Sequence, residues 1–117
     1  MPTTHSHTDV HGHDLSTCIE ACSECHDMCQ HMIYQHCLKL GGKHVEPEHL
    51  KLMADCAQIC HTSADFMLRG SPRHMQTCRV CAEICEECAN ECERIGDMED
   101  CVEACRRCAK ACREMAA

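Results

Sequence analysis

Cysteines recur along most of this chain in steps of three and four residues, a spacing at which leucine usually recurs in helical bundles. The stretch CRVCAEICEECANEC, residues 78–92, holds five cysteines in fifteen residues. Because residues three and four apart share one face of an α-helix, the pattern predicts amphipathic helices whose buried stripe consists of thiols. Polar and charged residues fill most of the other positions, as on a helix surface that faces water.

Glycine and proline divide the first half of the chain into two helical segments. A first helix is predicted over about residues 15–40, because the glycine pair that begins at Gly41 is a helix stop. Pro47 suits the first position of a second helix, which runs to about residue 69 and is ended by Gly70.

The second half of the chain contains two more helical segments. Ser71 and Pro72 suit an N-cap and a first helical position, so a third helix is predicted to about residue 95, with Gly96 as its stop. Asp97 is predicted to cap a fourth helix that runs to about residue 114. Because the connections are short, neighbouring helices must run antiparallel. The predicted fold class is all-α, an up-down-up-down antiparallel four-helix bundle with a cysteine-lined core.

The cysteine stripes of the four segments are predicted to face the bundle axis, which makes the core a tube of thiols. Fifteen of the sixteen cysteines fall on the stripes, and only Cys37 lies off them, one residue beyond His36. The stripe cysteines are Cys18, Cys22, Cys25 and Cys29; Cys56 and Cys60; Cys78, Cys81, Cys85, Cys88 and Cys92; and Cys101, Cys105, Cys108 and Cys112. The other stripe positions are Met32, His36 and Leu40; His49, Met53, Ser63 and Met67; His74 and Ile95; and Met98 and Met115.

The composition indicates one domain with an unusual core. A chain of 117 residues with one Phe, one Tyr and no Trp cannot build an ordinary aromatic core. Residues 1–13 are polar and histidine-rich and have little apolar surface to bury, so we expect a disordered tail there. Residues 14–117 are expected to form the bundle domain.

Charge and the amino-terminal sequence limit the compartment and the partners. The first seventeen residues show no export signal and no window approaches 18 consecutive apolar residues, so a cytoplasmic protein is predicted, without a membrane span. The cytoplasm keeps thiols reduced or leaves them to metals. A net charge of −8 argues against nucleic acid and anionic membranes as partners, because basic patches bind both.

Several uses of so many cysteines are disfavoured by their geometry. Side chains three or four apart on a helix hold their Cβ atoms about 5–6 Å apart, which is too far for a relaxed disulfide. Tetrahedral zinc asks for four ligands, and the second segment supplies only Cys56 and Cys60 to a stack of four-cysteine layers. Iron–sulfur clusters are bulky and usually bound by cysteines in loops, and a narrow helical tube leaves little room for them.

Cu(I) fits this thiol pattern better. It is a soft ion that accepts two or three thiolates, so a cysteine pair one helical turn apart can hold it and one sulfur can bridge two ions. One singly charged ion per thiolate also leaves the buried tube close to neutral. The expected loading therefore approaches about one Cu(I) per cysteine.

Softer ligands of other types collect at the two ends of the predicted bundle. With alternating helix directions, one end gathers His36, Cys37, His49, Met53 and Met98, and the other gathers Met67, His74 and Met115. These residues are predicted to form stations where a soft ion enters or leaves the tube. The end with His36 and His49 is predicted to be the mouth.

The thiol stripes on all four segments, with pairs such as Cys18/Cys22, Cys56/Cys60, Cys81/Cys85 and Cys101/Cys105, resemble those of the bacterial copper storage proteins over about residues 14–115. The resemblance implies a homotetramer of four-helix bundles that fill their cores with Cu(I) thiolate and have His and Met ligands at the open end. His36 and Met32 lie where such end ligands are expected. Because it shows no export signal, the chain resembles the cytosolic branch of that family.

The function implied is cytoplasmic sequestration of many Cu(I) ions, with no catalytic step and with a copper chaperone or efflux protein as an eventual partner. Two rivals stay open. One is a zinc-binding, metallothionein-like buffer, which a competition titration would reveal. The other is a thiol redox enzyme or iron–sulfur carrier, which predicts a coloured protein or one thiol pair far more reactive than the rest.

Overall fold

A computed structural model describes residues 15–116, and this part of the chain forms four long antiparallel helices and no strand. The predicted all-α four-helix bundle is therefore confirmed, while the predicted tail at residues 1–13 lies outside the described residues. Helix α1 spans Leu15–Met32 and continues through a π-helical turn at Ile33–Cys37 and a short α-helical stretch at Leu38–Leu40. The later helices are α2, Pro47–Leu68; α3, His74–Ile95; and α4, Glu99–Ala116.

The four helices form a ring around one axis. Helix α1 packs against α2 and α4, and α3 packs against the same two helices. The stripe cysteines point inward from all four, so the axis of the bundle is lined with sulfur, as the 3/4 spacing predicted. The core of the described chain is therefore built mainly from thiols, methionines and alanines.

The last turns of the first helix depart from the predicted stripe. In the π turn the backbone N–H of Leu38 bonds to the carbonyl of Ile33, so this turn holds one residue more than an α-helical turn. The extra residue rotates Cys37 into the core, where it is fully buried, and leaves His36 partly exposed and Leu40 55 % exposed. The predicted stripe through His36 and Leu40 is thus wrong, and Cys37 takes the inner position.

Two helix starts also differ from the sequence prediction. Ser71 caps a turn rather than the third helix, because its Oγ accepts the N–H of Arg73 at 3.1 Å and the helix begins at His74. Asp97 does not cap α4: it has a φ of +56°, and the carbonyl of Met98 accepts the first helical N–H. Asp is among the few side chains that tolerate this left-handed conformation, so it forms a tight turn together with the preceding glycine.

Small side chains surround the thiol stripes. Eight alanines are buried beside the cysteines, where helices meet their neighbours. Because the distance between packed helices depends on the side chains at the contact, alanine permits a close approach. The buried alanines are Ala21, Ala57, Ala64, Ala82, Ala89, Ala104, Ala109 and Ala111.

The outer surface carries ion pairs between helices. Arg107 reaches Glu24 across the α1–α4 contact at 2.9 Å, and Arg106 reaches Glu93 across the α3–α4 contact at 2.8 Å. These pairs are half exposed, so screening by solvent leaves each of them only a small contribution to stability. Among the helices of residues 15–116, none combines the length and the apolar character needed to cross a membrane.

Candidate metal centre

All sixteen cysteines lie within residues 15–116 as buried free thiols. Each side chain is at most 1 % exposed, and this includes Cys37, which the 3/4 pattern left outside the stripe. Their inward direction follows from the helix period on three helices, and on α1 from the period together with the π turn. The predicted tube of thiols is therefore present, with one more member than the stripes alone supplied.

Neighbouring thiols touch along most of the axis. Their Sγ atoms lie 3.5–4.0 Å apart, and contacts link ten cysteines into one continuous network. Cys60 is a hub of this network, with Sγ contacts to Cys81, Cys85 and Cys108 at 3.5–3.7 Å. The ten are Cys18, Cys22, Cys25, Cys56, Cys60, Cys81, Cys85, Cys105, Cys108 and Cys112.

Four further cysteines continue the axis towards the mouth predicted from the sequence. Cys29 contacts Cys101 at 4.0 Å, Cys101 contacts Cys92 at 3.8 Å, and Cys92 contacts Cys88 at 3.9 Å. This group also approaches the ten-cysteine network, because Cys29 lies within 4.8 Å of Cys105. Short distances between sulfurs therefore extend along the axis to this group.

The thiols also gather into groups of four that share members. Within each group all Sγ atoms lie within 4.8 Å of one another, and two of the groups share both Cys60 and Cys85. The groups include Cys22/Cys81/Cys108/Cys112, Cys25/Cys56/Cys60/Cys85, Cys25/Cys29/Cys56/Cys105, Cys29/Cys88/Cys101/Cys105 and Cys60/Cys81/Cys85/Cys108. Because groups share cysteines, separate four-coordinate ions cannot fill all of them, whereas ions joined by bridging thiolates can.

The expectation that few cysteines on the second helix would prevent four-thiol groups is wrong. Cys81 and Cys85 on α3, 3.8 Å apart, enter one group together, and Cys108 and Cys112 on α4, 4.0 Å apart, enter another. A second cysteine from one helix thus takes the place of an absent helix, which is α1 in the group with Cys81 and Cys85 and α2 in the group with Cys108 and Cys112. Counting cysteines per helix therefore does not separate zinc from copper.

Contacts between thiols push their pKa values apart. A hydrogen bond with Cys101 raises the pKa of Cys29. The pKa of Cys101 is lowered, because its sulfur accepts hydrogen bonds from the thiols of Cys105, the larger cause, and of Cys29. A thiolate is stabilised by S–H groups around it, so neighbouring thiols cannot all ionise in the metal-free tube. A bound cation supplies the missing charge, and loading must release protons.

One end of the tube combines thiol, imidazole and thioether; we call Cys37, His49, Met53 and Met98 the Cys37 end. Cys37 Sγ lies 3.7 Å from His49 Nε2 and donates to the Sδ atoms of Met98 and Met53 at 3.8 and 4.0 Å. His49 is fully buried, and its Nδ1 has no hydrogen-bond partner among the described residues. The structure thus brings together four of the residues that the sequence predicted as ligands at this end.

Burial sets the protonation of this end. Burial raises the pKa of Cys37 to about 11, and the charges of Cys101 and Cys88 add to the effect. Burial also lowers the pKa of His49. The apo Cys37 end therefore holds a neutral thiol and a neutral imidazole, and a neutral imidazole is the form that binds metals.

Two histidines lie over the turn beside the Cys37 end. His36 Nε2 donates to the carbonyl of Asp97 at 2.7 Å, and His44 Nε2 donates to the carbonyl of Gly96 at 3.0 Å. Their rings meet edge to face with centroids 5.5 Å apart. His36 is therefore near the predicted mouth but outside the stripe, and its Nδ1 is not used by this carbonyl bond.

His44 was missed by the sequence analysis. It lies off every stripe, in the short 3₁₀ segment Gly42–Val45 between the first two helices, yet it is only 6 % exposed. The one signal in the sequence is its place in a connection flanked by His36 and His49, because such a connection must cover that end of the bundle.

The opposite end of the tube holds the other predicted ligands. Cys78 donates to Met67 Sδ at 3.8 Å. Met115, three residues after Cys112 on α4, is also buried. His74 Nδ1 donates to the carbonyl of Ser71 at 3.0 Å, so one nitrogen of this predicted ligand holds the helix start. Met32, a predicted ligand of the other end, is 8 % exposed in the core.

Ser63 places a buried hydroxyl among the thiols of the tube. It is fully buried on the α2 stripe, and its Oγ has no hydrogen-bond partner among the described residues. On this stripe it lies between Cys60, which contacts Cys81, and Met67, which contacts Cys78. The hydroxyl therefore occupies a position where the stripe predicts a ligand.

A helical bundle whose axis is a connected run of free thiols defines a protein that binds soft metal ions in its core. The family model described as copper storage protein matches residues 11–117, and the chain belongs to the copper storage protein family. The family prediction drawn from the cysteine spacing is therefore confirmed.

Known relatives share both sequence and fold. The chain is 37 % identical over 75 residues to an uncharacterized cysteine-rich protein, YhjQ of Bacillus subtilis, covering 64 % of this chain and 68 % of YhjQ. The crystal structure of Nmul_A1745 from Nitrosospira multiformis aligns with a TM-score of 0.85 at 53 % identity, over 86 % of this chain and 93 % of the other. The Cu(I)-bound copper storage protein BsCsp3 aligns with a TM-score of 0.80 at 37 % identity, over 87 % and 97 %.

Apo Csp3 from Bacillus subtilis aligns almost as well as the Cu(I)-bound protein. Its TM-score is 0.79 at 37 % identity, over 87 % of this chain and 98 % of the other. The fold of the present chain thus aligns with both the Cu(I)-bound and the apo structure.

Proposed function

We propose that this protein stores many Cu(I) ions in the cytoplasm on the thiolates of its core and performs no catalytic step. The observation that carries the proposal is the continuous Sγ network, in which ten cysteines lie within 3.5–4.0 Å of a neighbour in the same network. A redox enzyme needs one reactive pair of thiols, whereas a connected network of similar thiols can bind many metal ions.

Charge balance supports Cu(I) as the cargo. A thiolate that bridges two ions, with each ion bound by two thiolates, gives about one Cu(I) per cysteine and a nearly neutral interior. Shared members of the four-thiol groups, such as Cys60 and Cys85, are suited to bridging. With sixteen cysteines, the expected capacity is therefore on the order of sixteen Cu(I) ions per chain.

The Cys37 end is the proposed mouth of the store. Its thiol, imidazole and two thioethers offer an arriving ion a few moderate bonds before the thiol-rich axis begins. His36 and His44 lie over this end, and Met32 is the core residue of α1 between Cys29 and the π turn. At the other end Cys78 donates to the thioether of Met67 at 3.8 Å, and we propose that this end, which also holds His74 and Met115, is the closed one.

The proposed assembly and partners are those that the resemblance to the copper storage family implies. We propose a homotetramer, which the exposed apolar residues Leu38, Leu40 and Leu68 support because contact between copies would cover such surface. A copper chaperone or an efflux protein is the proposed donor or acceptor of the stored ions. The negative net charge supports a role apart from nucleic acid and membranes.

The decisive experiment is an anaerobic Cu(I) titration of the reduced protein against a competing Cu(I) chelator. Saturation near one ion per cysteine, with tight binding throughout, is the expected result. Saturation after one or two ions would contradict storage and would indicate a chaperone or a sensor. Formation of the Cu(I)–thiolate absorption band gives an independent measure of each added ion.

A zinc buffer is the second candidate, because four-thiol groups with Sγ atoms within 4.8 Å suit tetrahedral Zn(II). The same titration separates the two candidates when Zn(II) is present in excess. Storage of Cu(I) predicts that copper displaces zinc completely and reaches several-fold higher stoichiometry. A zinc buffer predicts retention of zinc and a ceiling of about four ions, one for every four cysteines.

A further inference from the structure

Two histidines meet on the outside of the bundle, away from the thiol axis. His26 on α1 and His61 on α2 hold their ring centroids 5.0 Å apart with the ring planes inclined by 39°. Their side chains are 29 % and 57 % exposed, so solvent ions reach both rings. Neither residue lies on a cysteine stripe, and the proposed storage function makes no use of them.

Each of these rings has a carboxylate at one nitrogen. His26 Nδ1 lies 2.9 Å from Asp27 Oδ1, and His61 Nε2 lies 3.5 Å from Asp65 Oδ2. A carboxylate only accepts hydrogen bonds, so it favours the imidazole tautomer whose hydrogen is on the nitrogen that faces the carboxylate. The other nitrogens, Nε2 of His26 and Nδ1 of His61, then keep their lone pairs. A carboxylate behind an imidazole is the arrangement that orients histidines bound to metals.

The distance between the rings agrees with a shared metal ion. A metal–nitrogen bond of about 2.0–2.1 Å puts the centroid of an imidazole about 3.2 Å from the ion. Two such rings at a tetrahedral angle have centroids about 5 Å apart. The observed 5.0 Å is close to that spacing. Because His26 lies on α1 and His61 on α2, one shared ion would connect the two helices.

We propose that His26 and His61 form a surface site for a borderline divalent cation, Zn(II). The two imidazoles are ligands of the ion, and water completes its coordination. Imidazole nitrogen suits Zn(II), whereas the thiols of the core select soft ions. Asp27 and Asp65 are positioning residues of this site. The bundle then has two kinds of metal site, a soft one inside and a harder one on the outside of the α1–α2 contact.

The test is a Zn(II) titration of protein whose core is first saturated with Cu(I), so that thiols do not compete. His5, His7, His11 and His13 are replaced by Ala in every sample, because the tail also offers imidazoles. A chromophoric zinc chelator reports free Zn(II). We expect about one Zn(II) per chain in this background. His26→Ala and His61→Ala should each weaken that site at least about 10-fold.

Matched variants decide whether the pair itself is the site. His31→Ala removes another exposed histidine of α1 and should leave zinc binding unchanged. Asp27→Asn and Asp65→Asn should each weaken binding about 10-fold to 100-fold through the orientation of the rings. The proposal would be overturned if His26→Ala and His61→Ala bound zinc as tightly as the parent protein. A loss of zinc binding in His31→Ala as large as in those two variants would also overturn it. Cu(I) capacity, measured on the same samples, should not change.

Discussion

Cys37 Sγ lies 3.7 Å from His49 Nε2, and the two residues meet because a π turn adds one residue to the end of the first helix. An uninterrupted α-helix would have turned His36 inward in place of the thiol. The Cys37 end therefore owes its mixed ligand set to a local change in helix period. Such turns are frequent at functional sites, which agrees with the proposed mouth.

His49→Ala should slow the uptake of Cu(I) while leaving the final capacity within about one ion of the parent. The imidazole offers an arriving ion an early ligand, but most storage sulfurs lie farther along the axis. Stopped-flow absorbance of the Cu(I)–thiolate band measures the rate. His74→Ala is the matched control at the other end, and slower uptake in that variant alone would place the mouth there.

Ser63→Cys should raise the Cu(I) capacity by about one ion, because it adds a thiol to the stripe between Cys60 and Met67. Ser63→Ala should keep the capacity and stabilise the apo protein by about 1 kcal/mol, because it removes a buried hydroxyl without a partner in the described chain. The chelator titration and urea unfolding test the two statements. An apo protein destabilised by Ser63→Ala would show that the hydroxyl makes a favourable contact.

The apo protein should lose stability between about pH 9 and pH 11, and Cys37 should account for part of the loss. Burial raises the pKa of this thiol from 9.0 to about 11, so above pH 9 the unfolded chain gives up a proton that the folded protein keeps. The contribution is complete below pH 9 and falls by on the order of 3 kcal/mol up to pH 11. Urea unfolding of the reduced protein at several pH values should show a smaller loss in Cys37→Ala.

Cys60→Ser should remove more copper than Cys78→Ser, although each change deletes one thiol. Cys60 contacts three other cysteines and belongs to at least two four-thiol groups, so its loss should cost two or three ions. Cys78 contacts the thioether of Met67, and its loss should cost at most about one. Equal losses would argue against bridging thiolates and for independent sites.

The sequence predicted the helices and the inward thiols because both depend on the 3.6-residue period, which the cysteines mark directly. Fifteen cysteines lie where that period puts them. The π turn was not predictable, because an i→i+5 hydrogen bond leaves no signature in the residues Ile33–Cys37. The position of Cys37 was therefore assigned only by the structure.

Two other features depended on tertiary context. Asp97 after Gly96 looks like a helix cap in sequence, but both residues have positive φ and make the turn that accepts the His36 and His44 bonds. The four-thiol groups were also missed, because the sequence was interpreted with one ligand per helix. Pairs four apart, such as Cys81 and Cys85, already held the necessary signal.

The buried alanines give the store a wall that does not need to move. Helices separated by methyl groups are already close, and the sulfurs fill the space inside them, so the width of the bundle is fixed before any ion arrives. Filling the interior then adds mass within an unchanged outline. The loaded particle should sediment faster than the apo particle while its Stokes radius stays the same, and buoyant density alone would separate full stores from empty ones.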